Sequence, residues 1–364
     1  MTNAPEAPDT TKTADVVEDA PGKGRALAER VRVPATSLGL ALVATIVLLL
    51  IVDAPPLDAF RQLWDGSLGR PNKIPSTLIT WVPLTLAAAG LLVTFQAGIW
   101  NIGVEGQIVM GAIGSSWVVR EVSGPPALVI TLAFLGGMVF GVGWALIPGA
   151  LRTRFGVHEI FSGVALFFVA SAIAVYLIIG PWSREGIAST SGTDLFDERY
   201  WLPTAGDYSW LAIALALAAV VLVYVLLRGT RYGLRLKAVG RNPESASLLG
   251  IPTSAYMLSA FAACGALAGI AGTVQAIGFQ HKLVPSISGN YGFLGILVVL
   301  LAAFRAQWIA PIALFFAAML VGSTQLSLRL DIDSSLAGVM QGILVLSVVL
   351  VGGWQARRAR LGGG

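Results

Sequence analysis

Ten stretches of this chain are apolar over lengths that approach or reach what a bilayer crossing needs, and that alone confines the fold. A spanning helix takes roughly 17–25 residues. In lipid, every backbone N–H and C=O must be satisfied inside the spanning structure, so a chain of this kind folds as packed helices. The spacing predicts spans at 37–52, 77–96, 101–119, 127–151, 158–180, 209–228, 253–278, 291–304, 307–327 and 335–353. The first is marginal and the eighth is short. The break at 97–100 is too short for an ordinary loop, so the chain there makes either a tight turn or a re-entrant piece at membrane depth.

Composition agrees. The chain is 55% hydrophobic and only 12% charged, with mean hydropathy +0.77. Soluble domains carry about 25% charged residues. The expected class is an all-α integral membrane protein. Residues 1–36 mix Lys, Asp, Glu, Pro and Thr and read as a disordered cytoplasmic tail. No cleavage site follows the first apolar stretch, so it is not a secretory signal. Residues 354–364 read as a short basic cytoplasmic tail, and 37–353 as the permeation domain. One cysteine, Cys264, and two histidines offer no disulfide framework and little for a metal site.

Lysine and arginine set the orientation, because cytoplasmic loops carry the excess. With both termini inside and all ten spans crossing, the inside segments hold twice as many basic residues as the outside ones. The net charge of +4 is therefore loop charge and not a nucleic-acid signal. The long outer loop, 181–208, is acidic on balance.

Asn101-Ile-Gly103-Val-Glu105-Gly106 recurs in outline as Asn290-Tyr-Gly292-Phe-Leu-Gly295, about half a chain later. Each copy follows an apolar segment carrying a glutamine, Gln96 or Gln275. Under the ten-span topology the two copies open spans that run in opposite senses. Spans 2–5 and 7–10 then form an inverted-topology repeat. Glycine-interrupted segments at matching places in two halves point to a transport site at the repeat interface.

Glu105 is the clear charge inside a span, and a buried carboxylate is costly unless paired. Two readings stand: a pathway or gate residue, or a first-turn acid beside Asn101 as helix cap. Gln96, Trp100, Asn101, Glu105, Gln107, Gln275, Asn290, Tyr291 and Phe293 are the substrate-pathway candidates. Amides among aromatics suit a neutral, ring- or hydroxyl-bearing solute, although buried amides also join helices. No catalytic cluster and no metal site is expected. With one intramembrane acid, an ion-driven energy source inside the chain has little support. No G-x-x-x-x-G-K-[ST] loop occurs, so ATP hydrolysis would have to come from elsewhere.

The loop 229–252 is the most specific stretch. Asn242-Pro243 starts a helix, Glu244 suits its first turn, and Gly250 with Pro252 ends it. The expected element is Pro243–Leu249, outside the membrane, showing Ala246, Leu248 and Leu249 to a partner. So short a helix is marginal alone and needs a docking surface.

Here the chain resembles the permeases of ABC importers, whose coupling loop reads E-x-A followed by glycine. The matching residues are Glu244-Ser-Ala246 and Gly250, with Arg241, Asn242 and Pro243 before them. The wording is closest to the branched-chain amino acid and simple-sugar permease superfamily. Phe95–Ala112, with its N-I-G-x-E-G-Q, and Phe155-Gly-Val-His-Glu-Ile160 resemble the nucleoside and simple-sugar branch. After Ile160, Phe161–Phe167 departs from that branch, which leaves the solute open within it. The resemblance implies a permease subunit in a bacterial cell (plasma or inner) membrane. It implies a second, non-identical permease, two ABC ATP-binding subunits on the 229–252 loop, and an extracellular or periplasmic solute-binding protein. ATP would be held by the partner subunits and no cofactor by this chain. The expected solute is a nucleoside first, a simple sugar second. A branched-chain amino acid permease, a self-contained secondary carrier and a membrane-embedded enzyme are the alternatives.

Overall fold

The structure, a computed structural model, describes residues 39–51, 55–184, 191–330 and 338–351, apart from positions 41, 205, 344 and 349. The expected N-terminal and C-terminal tails lie outside the described residues.

Every described regular element is helical. In chain order they are α1 (Leu42–Ile51), α2 (Pro56–Ser67), α3 (Ile74–Gln96), α4 (Val104–Glu121), α5 (Pro126–Phe155), α6 (Glu159–Ile179), α7 (Trp210–Gly229), α8 (Arg231–Arg241), α9 (Pro243–Leu248), α10 (Thr253–Thr273), α11 (Tyr291–Leu301), α12 (Ile309–Leu330) and α13 (Gly338–Val348), with three short 3₁₀ turns. Among the described residues, six helices are long and apolar enough to cross a membrane, or seven if the bent pair α1–α2 counts as one. Helix α4 carries Glu105, Arg120 and Glu121, which lowers its hydropathy. Helix α11 has only 11 residues.

Helix ends follow local chemistry. Proline opens α2, α5 and α9, where its fixed φ and missing N–H cost nothing. Gly156 closes α5 in the left-handed region (φ 67°), the usual glycine stop. Pro83 and Pro148 sit inside α3 and α5, tolerated where neighbouring helices satisfy the freed carbonyls.

Burial grades the helices. Of the best spanning window of α3, 83% is buried, against 22% for α5. Helix α3 is apolar on all sides, as a central helix must be. Helix α10 packs on α3, α4 and α5 through small residues. A Cβ at Gly111 would collide with Gly269, one at Gly141 with Gly265, and one at Gly90 would crowd Cys264. Such small-residue seams let backbones close in where lipid gives no hydrophobic drive.

The partners cross between halves. Helix α10 packs on α3, α4 and α5, while α3 packs on α10, α11 and α12. Each half thus lays one long helix against the other half.

Two elements were not expected. Helix α2 occupies a stretch read as loop, with a polar and an apolar face and a 107° bend from α1. Helix α8 occupies the first half of the 229–252 loop, burying Gly233, Leu236 and Val239 on one face. With 12 and 11 residues, neither is long enough to span alone, and charges interrupt their apolar positions, so their signal is the helical period.

Candidate functional site

The two glycine breaks meet. After α3 ends at Gln96, the chain turns back until Asn101 Nδ2 lies 3.2 Å from Cys264 Sγ. Cys264 packs against Gly90, a turn and a half before the end of α3. Residues 97–103 thus fold back along the last turns of α3 as a short re-entrant segment, and α4 begins beside those turns. From the other side, α10 runs on into a π-helical turn, Val274–Gln280, closed by left-handed His281 (φ 53°). π-turns often mark functional sites. The chain then returns inward, and α11 starts beside Val104 and Glu105, with Gly295 against Ala88 and Leu91. Two half-helix N-termini therefore face one another.

Glu105 joins them. Its Oε2 accepts from the backbone N–H of Gly292 at 2.6 Å. The side chain of Ser288 and the backbone of Asn290 and Phe293 also face this carboxylate. Its Oε1 has no hydrogen-bond partner among the described residues, and the residue is fully buried. The acid of the first motif thus caps the helix opened by the second. No side chain can be added at Gly292, because it would meet Glu105 itself.

The other candidates sort around this contact. Asn101 and Gln107 exchange two hydrogen bonds, 3.2 Å and 3.1 Å, and both are buried. Asn101 does not cap α4; Gly103 holds that position without a side-chain bond. Its amide turns inward to Gln107 because the re-entrant segment already places it against α10. Gln275 is buried, and with Thr80 it faces the Tyr291 hydroxyl. Phe293 lies edge-on to Phe167 with centroids 5.6 Å apart. Asn290 is exposed in the left-handed region (φ 59°). Glu105, Gln275, Tyr291, Phe293 and Asn290 therefore form one neighbourhood. Gln96 and Trp100 lie apart from it. Gln96 Nε2 donates to the Phe304 carbonyl at 3.2 Å, and the Trp100 ring lies tilted at 47° to that of Phe95, centroids 4.9 Å apart.

Glu159, close in sequence to Arg152 and Arg154 where an interfacial ion pair is expected, ties two segments together. It is buried, faces Arg152 at 3.3 Å, and accepts from the Trp100 N–H at 3.3 Å. It pins the re-entrant turn to the α5–α6 connection.

Loops that the charge count assigns to one side meet at one end. Residues 96–100, 152–159, 228–242 and 304–307 gather there through the Glu159, Gln96 and Gly98–Gly240 contacts. At the opposite end Gly124 meets Tyr200, Thr193 meets Leu283, Phe196 meets His281 and Leu202 meets Ile277.

On the first end sits the α8–α9 unit. Thr230 Oγ1 caps α8 through the Gly233 N–H at 3.0 Å. Asn242 Oδ1 caps α9 through the Ser245 N–H at 3.0 Å. Gly250 (φ 74°) ends it. The helix stops at Leu248, one residue short of the expectation, because Leu249 already has non-helical ψ. Ala246 corrects the expectation as well. It is 2% exposed and faces the protein, while Leu248 (89%) and Leu249 (79%) project outward. Arg241, Asn242, Pro243 and Glu244 are exposed beside them. Gly240, at the end of α8, touches the Gln96 carbonyl and Gly98.

In sequence, the chain is similar to known transport proteins. A sequence model described as "Branched-chain amino acid transport system / permease component" matches residues 74–359. The glucose ABC transporter permease protein TsgB13 of Haloferax volcanii is 30% identical, over 83% of this chain and 83% of its own. The nucleoside ABC transporter permease protein NupB of Lactococcus lactis subsp. cremoris is 30% identical, over 81% and 83%. A second permease protein of that organism, NupC, is 26% identical over 68% and 79%.

Proposed function

The chain belongs to the family of branched-chain amino acid transport system permease components, and from that premise we propose that it is the membrane-spanning subunit of an ATP-driven importer for a neutral polar solute. It is a multi-pass membrane protein, and ATP hydrolysis falls to other subunits. A nucleoside is the first choice of solute and a simple sugar the second, as with the relatives named above.

One observation carries the ATP-driven reading. Helix α9 is capped at both ends, yet it directs Leu248 and Leu249 into the surroundings. Two neighbouring leucines kept outside a membrane domain suit a docking surface. A self-contained carrier has no use for one. Two ATP-binding subunits would seat there, one on each of two permeases. That two permease proteins of one organism both match supports a non-identical second permease. Because α8 abuts Gly98, movement of α9 would reach the re-entrant break directly.

The reading includes ten crossings, both termini in the cytoplasm of a bacterial cell, and an inverted repeat of spans 2–5 and 7–10. The packing of α3 and α10 against the opposite halves supports the repeat. Solute would pass near Glu105, Gln275, Asn290, Tyr291 and Phe293, delivered by an extracellular or periplasmic binding protein.

Glu244→Arg tests the docking. Uptake of labelled nucleoside should fall at least about tenfold, and the ATP-binding subunits should no longer co-purify, while the chain still inserts. Normal uptake in that variant overturns the coupling role. A panel of labelled nucleosides, sugars and branched-chain amino acids decides the solute. Nucleoside uptake by the purified chain alone in liposomes would sink the ATP-driven reading.

A further inference from the structure

At the end where α8 and α9 sit lies a cavity of about 330 Å³. Its walls come from three separate segments: the end of α3, the α7–α8 corner, and the turn before α12. Arg228, Lys237 and Arg305 line it, with Gln96, Tyr224 and Phe304. No carboxylate lines it, and none of the three cations forms an ion pair among the described residues. Lys237 Nζ donates one hydrogen bond to the Leu227 carbonyl at 2.7 Å, which caps α7; an ammonium has three donors. Arg228 donates to the Tyr224 hydroxyl at 2.6 Å, which fixes its direction while leaving most of its guanidinium donors uncommitted.

The rim is built, not incidental. Ala303 (φ 49°) and Phe304 (φ 57°) are consecutive non-glycine residues in the left-handed region, a costly conformation kept where the surroundings enforce it. Backbone bonds from Ala303 to the Leu300 carbonyl and from Phe304 to the Val299 carbonyl close this bend, and the Gln96 amide donates to the Phe304 carbonyl at 3.2 Å. This bend presents Arg305 to the cavity opposite Arg228.

We propose that this pocket binds a phosphate group carried by an anionic phospholipid of the cytoplasmic leaflet. Three converging cations without an acid suit phosphate oxygens. Basic pockets between spans on the cytoplasmic side are suited to lipid headgroups. Leu92 and Leu227 also line the cavity, apolar surface that suits the hydrocarbon of a lipid and gives a free anion nothing. Bound there, the lipid would brace α8 against α3 beside the Gly98–Gly240 contact. The choice of leaflet rests on this end facing the cytoplasm, which labelling of single-cysteine variants tests separately.

The test uses the full chain purified in an uncharged detergent, with binding read by native mass spectrometry. The probes are short-chain phosphatidylglycerol, phosphatidylcholine of equal chain length, and inorganic phosphate. Phosphatidylglycerol should bind, phosphatidylcholine should not, and phosphate should compete only weakly. Each cation removed should weaken binding about fivefold, so Arg228→Gln with Arg305→Gln should cost roughly 25-fold. Arg154→Gln, on another loop, should cost nothing. Should the double variant fail to fold, raising salt on the unaltered chain must weaken phosphatidylglycerol binding. Equal binding of the two lipids, salt-independent binding, or an unchanged double variant overturns the proposal. Phosphate binding as tight as phosphatidylglycerol reassigns the pocket to a free anion and overturns the lipid. Should the unaltered chain bind no phosphatidylglycerol while the double variant loses its co-purifying ATP-binding subunits, the pocket is reassigned to an acidic protein surface.

Discussion

A single carboxylate holds the two breaks together at their centre. Glu105 Oε2 takes the Gly292 N–H, so removal of the side chain orphans a buried donor at a helix start. Leaving such a donor unmade costs about 1–3 kcal/mol. Glu105→Ala should therefore lower the melting temperature in detergent clearly, while Glu105→Gln, which keeps an acceptor, should lower it far less. Uptake that vanishes in Glu105→Gln at an unchanged melting temperature would give the carboxylate a role in the solute's path as well. At the opposite end His281 stacks on Trp201 with centroids 3.8 Å apart. Burial disfavours its cation and holds its pKa below the ordinary 6.5, with the Ile277 carbonyl opposing. As pH falls through that ordinary value the unfolded chain takes the proton first, so stability is lost on the acid side. The drop in melting temperature between pH 7 and pH 5 should be smaller in His281→Asn, which tolerates the left-handed backbone.

Helices were legible where hydrophobicity alone decides them and illegible where partners do. The apolar stretches predict α3, α5, α6, α7 and α10 closely, because lipid demands long unbroken apolar runs. Helices α2 and α8 escaped because their charges interrupt those runs, although their apolar faces keep a helical period. The caps of α9 were readable, since Asn242 and Gly250 act within their own turn. The inward face of Ala246 was not, because α8, itself unforeseen, supplies the other side. The same limit applied at the centre. Asn101 could be read as a cap, but its partner Gln107 is chosen by how the re-entrant segment folds back. The seat of α8 yields a prediction at this scale. A side chain at Gly240 would strike the Gln96 carbonyl and Gly98. Gly240→Val should leave α9 and its docked subunits in place, so they still co-purify. Uptake should fall at least about tenfold, because motion no longer passes to the break.

For the whole molecule, the topology rests on loops that converge at two ends. Its test is simple because the chain has one cysteine, and Cys264 is buried. Single cysteines introduced by Ser247→Cys and Thr204→Cys should react with a membrane-impermeant maleimide from opposite sides of the membrane. The first should need broken cells and the second should label in intact ones. Reaction of both from one side would refute the ten-crossing arrangement. The bridge between halves also has a consequence for how the chain is made. Glu105 and Gly292 are 187 residues apart. At 5–20 residues per second the ribosome delivers the second roughly 10–40 s after the first. Through that interval the N-terminal half sits in the bilayer with its acid and its glycine seam uncovered. Biogenesis of this protein is thus a wait, in which the insertion machinery must shelter one half until the other arrives.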